Sequence, residues 1–159
     1  MRIVEDFKAY TESGGISKKV ATLLVNPCFH SVCLYRLSSF FYRCHLGIVS
    51  KIVWYINRLL FHVDIDYRAD LAGGFVLVHG LGTVIGCEVC SKGRLYVYQG
   101  VTIGGNNGKV RVDADGKTCG QALIGKHVTI YTDASIFGPV VIGDNAVIKA
   151  KSLITHDVP

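Results

Sequence analysis

The stretch Ile124–Pro159 reads IGKHVT, IYTDAS, IFGPVV, IGDNAV, IKAKSL, ITHDVP. Isoleucine opens every block, at Ile124, Ile130, Ile136, Ile142, Ile148 and Ile154. The fifth place is small or branched: Val128, Ala134, Val140, Ala146, Ser152, Val158. A strict period of six fits neither a strand, whose period is two, nor a helix, whose period is 3.6. A solenoid accounts for it, because each hexad makes one short strand and a turn, and stacked hexads bury a shared apolar column. The isoleucines are expected to point inward and the fifth residues to sit where the chain turns a corner. The pattern predicts a parallel β-helix of triangular section, with three hexads per coil.

The period extends upstream. Ile85, Ser91, Val97 and Ile103 are six apart, with Val89, Leu95 and Val101 in the fifth slots. Ser91 is a polar inward residue, and Leu95 is large for its slot. Ile65, Leu71 and Leu77 continue the series. Two breaks interrupt it. Leu77 and Ile85 are eight apart, which places two extra residues around Val78-His79-Gly80-Leu81-Gly82. After Ile103 the hexads stop, and 104–123 is rich in Gly, Asn, Asp and Lys, as an excursion loop would be. A solenoid departs from its period where something other than packing is needed.

Residues 1–62 have a different texture. A short helix is expected from Ile3 to Tyr10, ended by Gly14-Gly15, with Ser17 capping the next segment. Asn26-Pro27 is a helix start, a capping residue followed by proline in the first turn. That helix is expected from Cys28 to about His45, and another from Val49 to Phe61. Both mix apolar residues with Arg36, Arg43, Lys51 and Arg58. Their apolar stripes are expected to pack on the β-helix or on a neighbouring subunit. The other reading is peripheral contact with a membrane surface.

The chain of 159 residues has a formal charge of +5, spread without a basic run, and shows no nucleic-acid motif. Its start lacks the pattern of a signal peptide, and no apolar run reaches membrane-spanning length, so a cytoplasmic location is expected. The six cysteines read as reduced thiols. Cys87-Glu88-Val89-Cys90 has the spacing of half a zinc site, but no second pair accompanies it. No metal is expected.

His79 in the first break is the candidate for chemistry. A histidine beside a carboxylate serves as general base on a hydroxyl. Asp64 and Asp66 lie about one coil earlier and are both candidates to orient it. His30, His45 and His62 fall in or beside helices, His127 within a hexad and His156 in the last one.

Asp64-Ile65, then Val78-His79-Gly80-Leu81-Gly82-Thr83-Val84-Ile85-Gly86, then Gln99-Gly100-Val101-Thr102-Ile103-Gly104-Gly105, followed by a loop and hexads, resembles the serine acetyltransferase branch of the hexapeptide-repeat acyltransferases. The resemblance covers about residues 60–159. It implies a left-handed parallel β-helix and a homotrimer, alone or paired as a dimer of trimers, with acetyl-CoA bound between neighbouring subunits. It implies His79 as base and Asp64 as its orienting partner. It makes Gly104, Gly105, Asn106, Thr132, Lys149 and Lys151 candidate coenzyme A contacts. The backbone amides of Gly104 and Gly105 would donate to the oxyanion or to the cofactor, and the lysines would meet phosphates.

The departures from the family pattern bear on the acceptor. Serine acetyltransferases usually carry Asp just before the catalytic His, where this chain has Val78. They usually carry Arg-His-Pro near the end of the loop, where this chain has Gly120-Gln121-Ala122. Val78 and Gln121 are therefore candidate acceptor contacts without the charges that serine's ammonium and carboxylate would pair with. The helical region is short, and the usual C-terminal tail does not follow Pro159. Both features resemble polysaccharide O-acetyltransferases, such as colanic acid acetyltransferases. The expected acceptor is a sugar hydroxyl of a surface-polysaccharide precursor, handled at the inner face of the membrane. The alternatives are L-serine as acceptor and a non-catalytic trimeric scaffold.

Overall fold

The computed structural model describes residues 1–112, 116 and 118–159; residues 113–115 and 117 of the expected excursion lie outside it. Four helices come first: α1 (Arg2–Thr11), α2 (Ile16–Val25), α3 (Pro27–Arg43) and α4 (Gly47–Phe61). Asn26 caps α3 as expected, its side chain accepting from the Phe29 amide at 3.1 Å with Pro27 in the first turn. Ser17 does not cap α2. Gly15 takes the extended cap conformation instead, and Ser17 falls inside the helix.

From Asp64 the chain winds into parallel strands on three faces. The first face holds β1 (Asp64–Ile65), β3 (Val84–Ile85), β6 (Thr102–Gly104), β11 (Ser135–Phe137) and β14 (Leu153–Ile154). The second holds β2 (Phe75–Val78), β5 (Leu95–Tyr98), β10 (Val128–Ile130) and β13 (Val147–Ile148). The third holds β4 (Cys90–Ser91), β9 (Leu123–Ile124) and β12 (Val141–Ile142). A short antiparallel pair, β7 (Arg111–Val112) and β8 (Thr118–Cys119), stands apart in the excursion.

The strand register measures the coil directly. Val84 pairs with Thr102 and Thr129 with Val147, eighteen residues on, which is three hexads per turn. The inward column closes as the sequence predicts. Ile124, Ile130, Ile136 and Ile142 are fully buried, as are Val97, Ile103, Leu95 and Val101. Ile154 is half-buried. The inward Ser91 is satisfied, its hydroxyl accepting from the Ala72 amide at 3.0 Å.

Both breaks appear as jumps in register. Phe75 pairs with Leu95, twenty residues on, while Val84 pairs with Thr102, eighteen on, so two residues enter between them. Thr102 pairs with Ser135, thirty-three on, so the excursion adds fifteen. Neither insertion disturbs the stacking on its far side.

The helices cover the first coil through specific polar contacts. Asp6, fully buried on α1, accepts from the amides of Gly74 and Phe75, each at 2.9 Å. It also accepts from Arg36 of α3 through Nε at 2.8 Å and Nη2 at 3.0 Å. Arg36 in turn donates to the carbonyls of Leu71 and Ala72 at 2.6 and 2.7 Å. The Tyr35 hydroxyl donates to the Ala69 carbonyl at 2.8 Å. The Tyr10 hydroxyl donates to the Leu77 carbonyl at 3.1 Å and accepts from the Leu77 amide at 2.8 Å. One side chain thus serves both backbone groups of a strand at the edge of its face. Tyr10→Phe strands both groups, and we expect it to cost about 1–3 kcal/mol in urea unfolding with an unchanged m-value.

The apolar stripe of α3 packs on the β-helix as expected, with Val32 and Tyr35 buried in its core, whereas most apolar residues of α2 and α4 face away from the coil of their own protomer. In α4 the buried residues are Ser50 and Asn57, and in α2 the buried residue is Thr22. Within the protomer the exposed side chains include Leu23, Leu24, Ile48, Ile52, Leu59 and Leu60. The reason is local. Ser38 and Ser50 exchange hydroxyl-to-carbonyl hydrogen bonds of 2.7 and 2.8 Å across the α3–α4 seam. This draws the polar faces of the two helices together and leaves the apolar face of α4 turned out.

Candidate active site

The two inserted residues form a bulge at the end of β2. His79 lies there with φ 57°, exposed to solvent. This left-handed conformation is uncommon for a residue with a side chain, and it follows from the extra length that the corner must absorb. Gly80 beside it is buried, and a Cβ there would stand 3.1 Å from Leu77 Cδ1 and 3.2 Å from Val63 Cγ2. The tight space beside Gly80 therefore keeps the bulge close against the coil.

His79 opens onto a cleft of about 560 Å³ between β2 and the helices, shared with Tyr10, Lys18, Val25, Asn26 and Cys28. Lys18 is its cation, and no carboxylate is among its lining residues. Burial pushes the Tyr10 hydroxyl well above the ordinary phenol value, so it stays protonated and holds Leu77 rather than acting as a base. Val78, a candidate acceptor contact, lines this cleft.

Asp64 lies at the start of β1, on the coil below β3. Its Oδ1 accepts from Trp54 Nε1 at 3.0 Å, and its Oδ2 lies 3.1 Å from Arg58 Nη1, both on α4. It lines a second cleft of about 410 Å³ with Tyr55, His62, Gly82 and Thr83. Asp66 is held on three sides by Arg68, through the amide, Nε and Nη2 at 2.8, 2.9 and 2.7 Å. Among the described residues, neither carboxylate shares a hydrogen bond with His79. Of the two, Asp64 is the less occupied, with one hydrogen bond from Trp54 and one ion pair to Arg58 against the three hydrogen bonds that Arg68 makes to Asp66.

The candidate coenzyme contacts flank the first face. At one corner Gly82, Gly100, Asp133 and Lys151 stack with positive φ. Their amides bond to the coil below, Lys151 to the Thr132 carbonyl at 2.9 Å. Thr132, Lys149 and Lys151 gather there, with both lysines exposed. At the other end of the strands are Gly104, Gly105 and Asn106. Gly104 accepts from the Gly138 amide at 2.9 Å. Asn106 lines a cleft of about 350 Å³ with Lys109, Arg111, Phe137 and His156.

Gln121 is placed away from His79. Its Oε1 accepts from the Glu88 amide at 3.2 Å, and it lines a cleft of about 170 Å³ with Glu88, Arg111, Cys119 and Pro139. Val78 and Gln121 therefore face different clefts of one protomer. Sequence reasoning missed the ring pair Tyr98–Tyr131, whose centroids lie 4.9 Å apart on the outer side of the second face. Register places Tyr98 beside Val78, Tyr131 on Tyr98 and Lys149 on Tyr131. The signal was present: 98 and 131 differ by the same thirty-three residues as the paired strands.

The fold is a left-handed parallel β-helix of hexapeptide repeats, as in solved structures of serine acetyltransferases. No family model matches the chain. Among curated proteins it is similar to the serine acetyltransferase of Bacillus pumilus, 31% identical over 141 residues, which is 88% of this chain and 61% of that protein. It is also similar to that of Synechococcus elongatus, 29% identical over 160 residues, covering 99% of this chain and 62% of the relative. The crystal structure of Neisseria gonorrhoeae serine acetyltransferase in complex with serine superposes with a TM-score of 0.84 at 30% identity, covering 99% of this chain and 62% of that one. In sequence and in fold the chain is thus similar to serine acetyltransferases. It spans about three fifths of the length of these relatives.

Proposed function

We propose that this protein is an acetyl-CoA-dependent O-acetyltransferase with His79 as general base. The observation that carries the reading is the two-residue bulge that presents His79 at an open cleft, in a chain similar to serine acetyltransferases along almost its whole length. In the reaction His79 takes the proton of the acceptor hydroxyl as the oxygen attacks the thioester carbonyl. The tetrahedral oxyanion collapses, the carbon–sulfur bond breaks, and the coenzyme thiolate takes the proton back. The products are an acetyl ester and free coenzyme A. Asp64 is the orienting carboxylate in this reading, released from Arg58 toward the imidazole. Thr132, Lys149 and Lys151 at one end of the first face and Gly104, Gly105 and Asn106 at the other would hold the coenzyme. The assembly is a homotrimer.

L-serine is the acceptor that the relatives support. A second reading, a sugar hydroxyl, is favoured by the lining of the His79 cleft. Lys18 there can meet a carboxylate, but the cleft offers no anion to an ammonium group. The test is thiol release from acetyl-CoA with L-serine, simple sugars and nucleotide sugars side by side. Turnover of L-serine above every sugar establishes the first acceptor, and the reverse order establishes the second. No release with any of them removes the enzyme reading and leaves the scaffold.

A further inference from the structure

We infer that α4 is a docking helix for an anionic lipid surface. At 100° per residue, Ile48, Ile52, Tyr55, Ile56, Leu59 and Leu60 fall within an arc of about 140°. All six are exposed, Ile48 at 80% and Leu60 at 64%. The opposite side of the helix carries Ser50 and Asn57, which are 0% and 1% exposed. Asn57 donates to the Ser31 carbonyl of α3 at 3.2 Å, and Ser50 exchanges hydrogen bonds with Ser38. A helix pair folded in water ordinarily buries its apolar faces. α4 instead buries small polar residues against α3 and turns its own apolar face out, the polarity of a helix packed within lipid.

The charges select the partner. Between Glu12 and Asp64 the chain holds six Lys and Arg residues and no carboxylate. Lys51 and Arg58 lie along one flank of the apolar arc, both exposed. Arg58 meets Asp64 on the coil side. A second copy docked face to face on this surface would set Lys51 and Arg58 against their own counterparts, whereas an anionic headgroup layer complements them. At 15 residues α4 is about 22 Å long, against about 30 Å for a hydrocarbon core. Its geometry is therefore that of a helix lying in the interface, apolar arc down and basic flank at headgroup level.

The experiment is co-sedimentation of the full chain with vesicles of phosphatidylcholine, and with vesicles of roughly two parts phosphatidylcholine to one part phosphatidylglycerol. Binding to the second composition alone is expected. Lys51→Glu should weaken it about tenfold or more, and Ile52→Ser with Leu59→Ser should abolish it. These positions are exposed, so the thermal midpoint should not move. Two results overturn the inference. One is the absence of binding to either vesicle. The other is a drop in solution mass for the Ser variants, which would assign the face to a neighbouring copy.

Discussion

His79→Asn is expected to lower acetyl transfer about 10²–10⁴-fold, with the thermal midpoint and oligomer mass unchanged. Asn is the informative replacement, because it accepts the left-handed conformation that position 79 requires. Alanine at φ 57° would add strain and blur a lost proton acceptor with a distorted bulge. An Asn side chain can still hydrogen-bond the acceptor hydroxyl but cannot take its proton at neutral pH. The loss should therefore fall on kcat with little change in KM for acetyl-CoA. Thiol release followed against the best acceptor measures it. Unchanged turnover would remove His79 from the chemistry and favour the scaffold reading.

The second large effect concerns the joint between helices and coil. Asp6→Ala is expected to destabilise the protein by about 3–5 kcal/mol, read as a lower urea midpoint. The carboxylate is fully buried and accepts four hydrogen bonds, two of them from the backbone amides of Gly74 and Phe75. Its removal leaves the Arg36 guanidinium buried without its anion and two amides without acceptors. Adding Arg36→Met to Asp6→Ala should cost much less than the sum of the single losses, because the uncompensated charge disappears with it. Strict additivity would show that the two residues act independently.

The β-helix was legible because its signal is one-dimensional. A fixed period in sequence becomes a fixed position in the coil, so Ile124 to Ile142 could be placed inward without knowing anything else. The bulge was legible as an eight in a series of sixes, and the register jump from twenty to eighteen is the same quantity measured in space. The helical cap was not legible. Nothing in RIVEDF marks Asp6 as buried, since an acid in the first turns of a short helix ordinarily faces solvent. Its burial depends on amides sixty-eight and sixty-nine residues away. The partners of Asp64 escaped for the same reason, because Trp54 and Arg58 reach it from α4, outside the repeat. The apolar stripe of α4 was visible, but its direction was not. A periodicity shows that a helix has two faces, and the serine pair across the seam decides which one turns inward.

The two insertions also separate what this scaffold must keep from what it is free to change. Leu77 still stacks on Val97 below the bulge and Ile85 on Ile103 above it. The fifteen residues of the excursion leave Ile103 on Ile136. A corner is thus a slot whose contents are invisible to the column. Residues placed in such slots can drift toward a new acceptor without passing through an unfolded intermediate, and changes in the column cannot. Diversification of chemistry on this coil is expected to enter at its corners, one slot at a time.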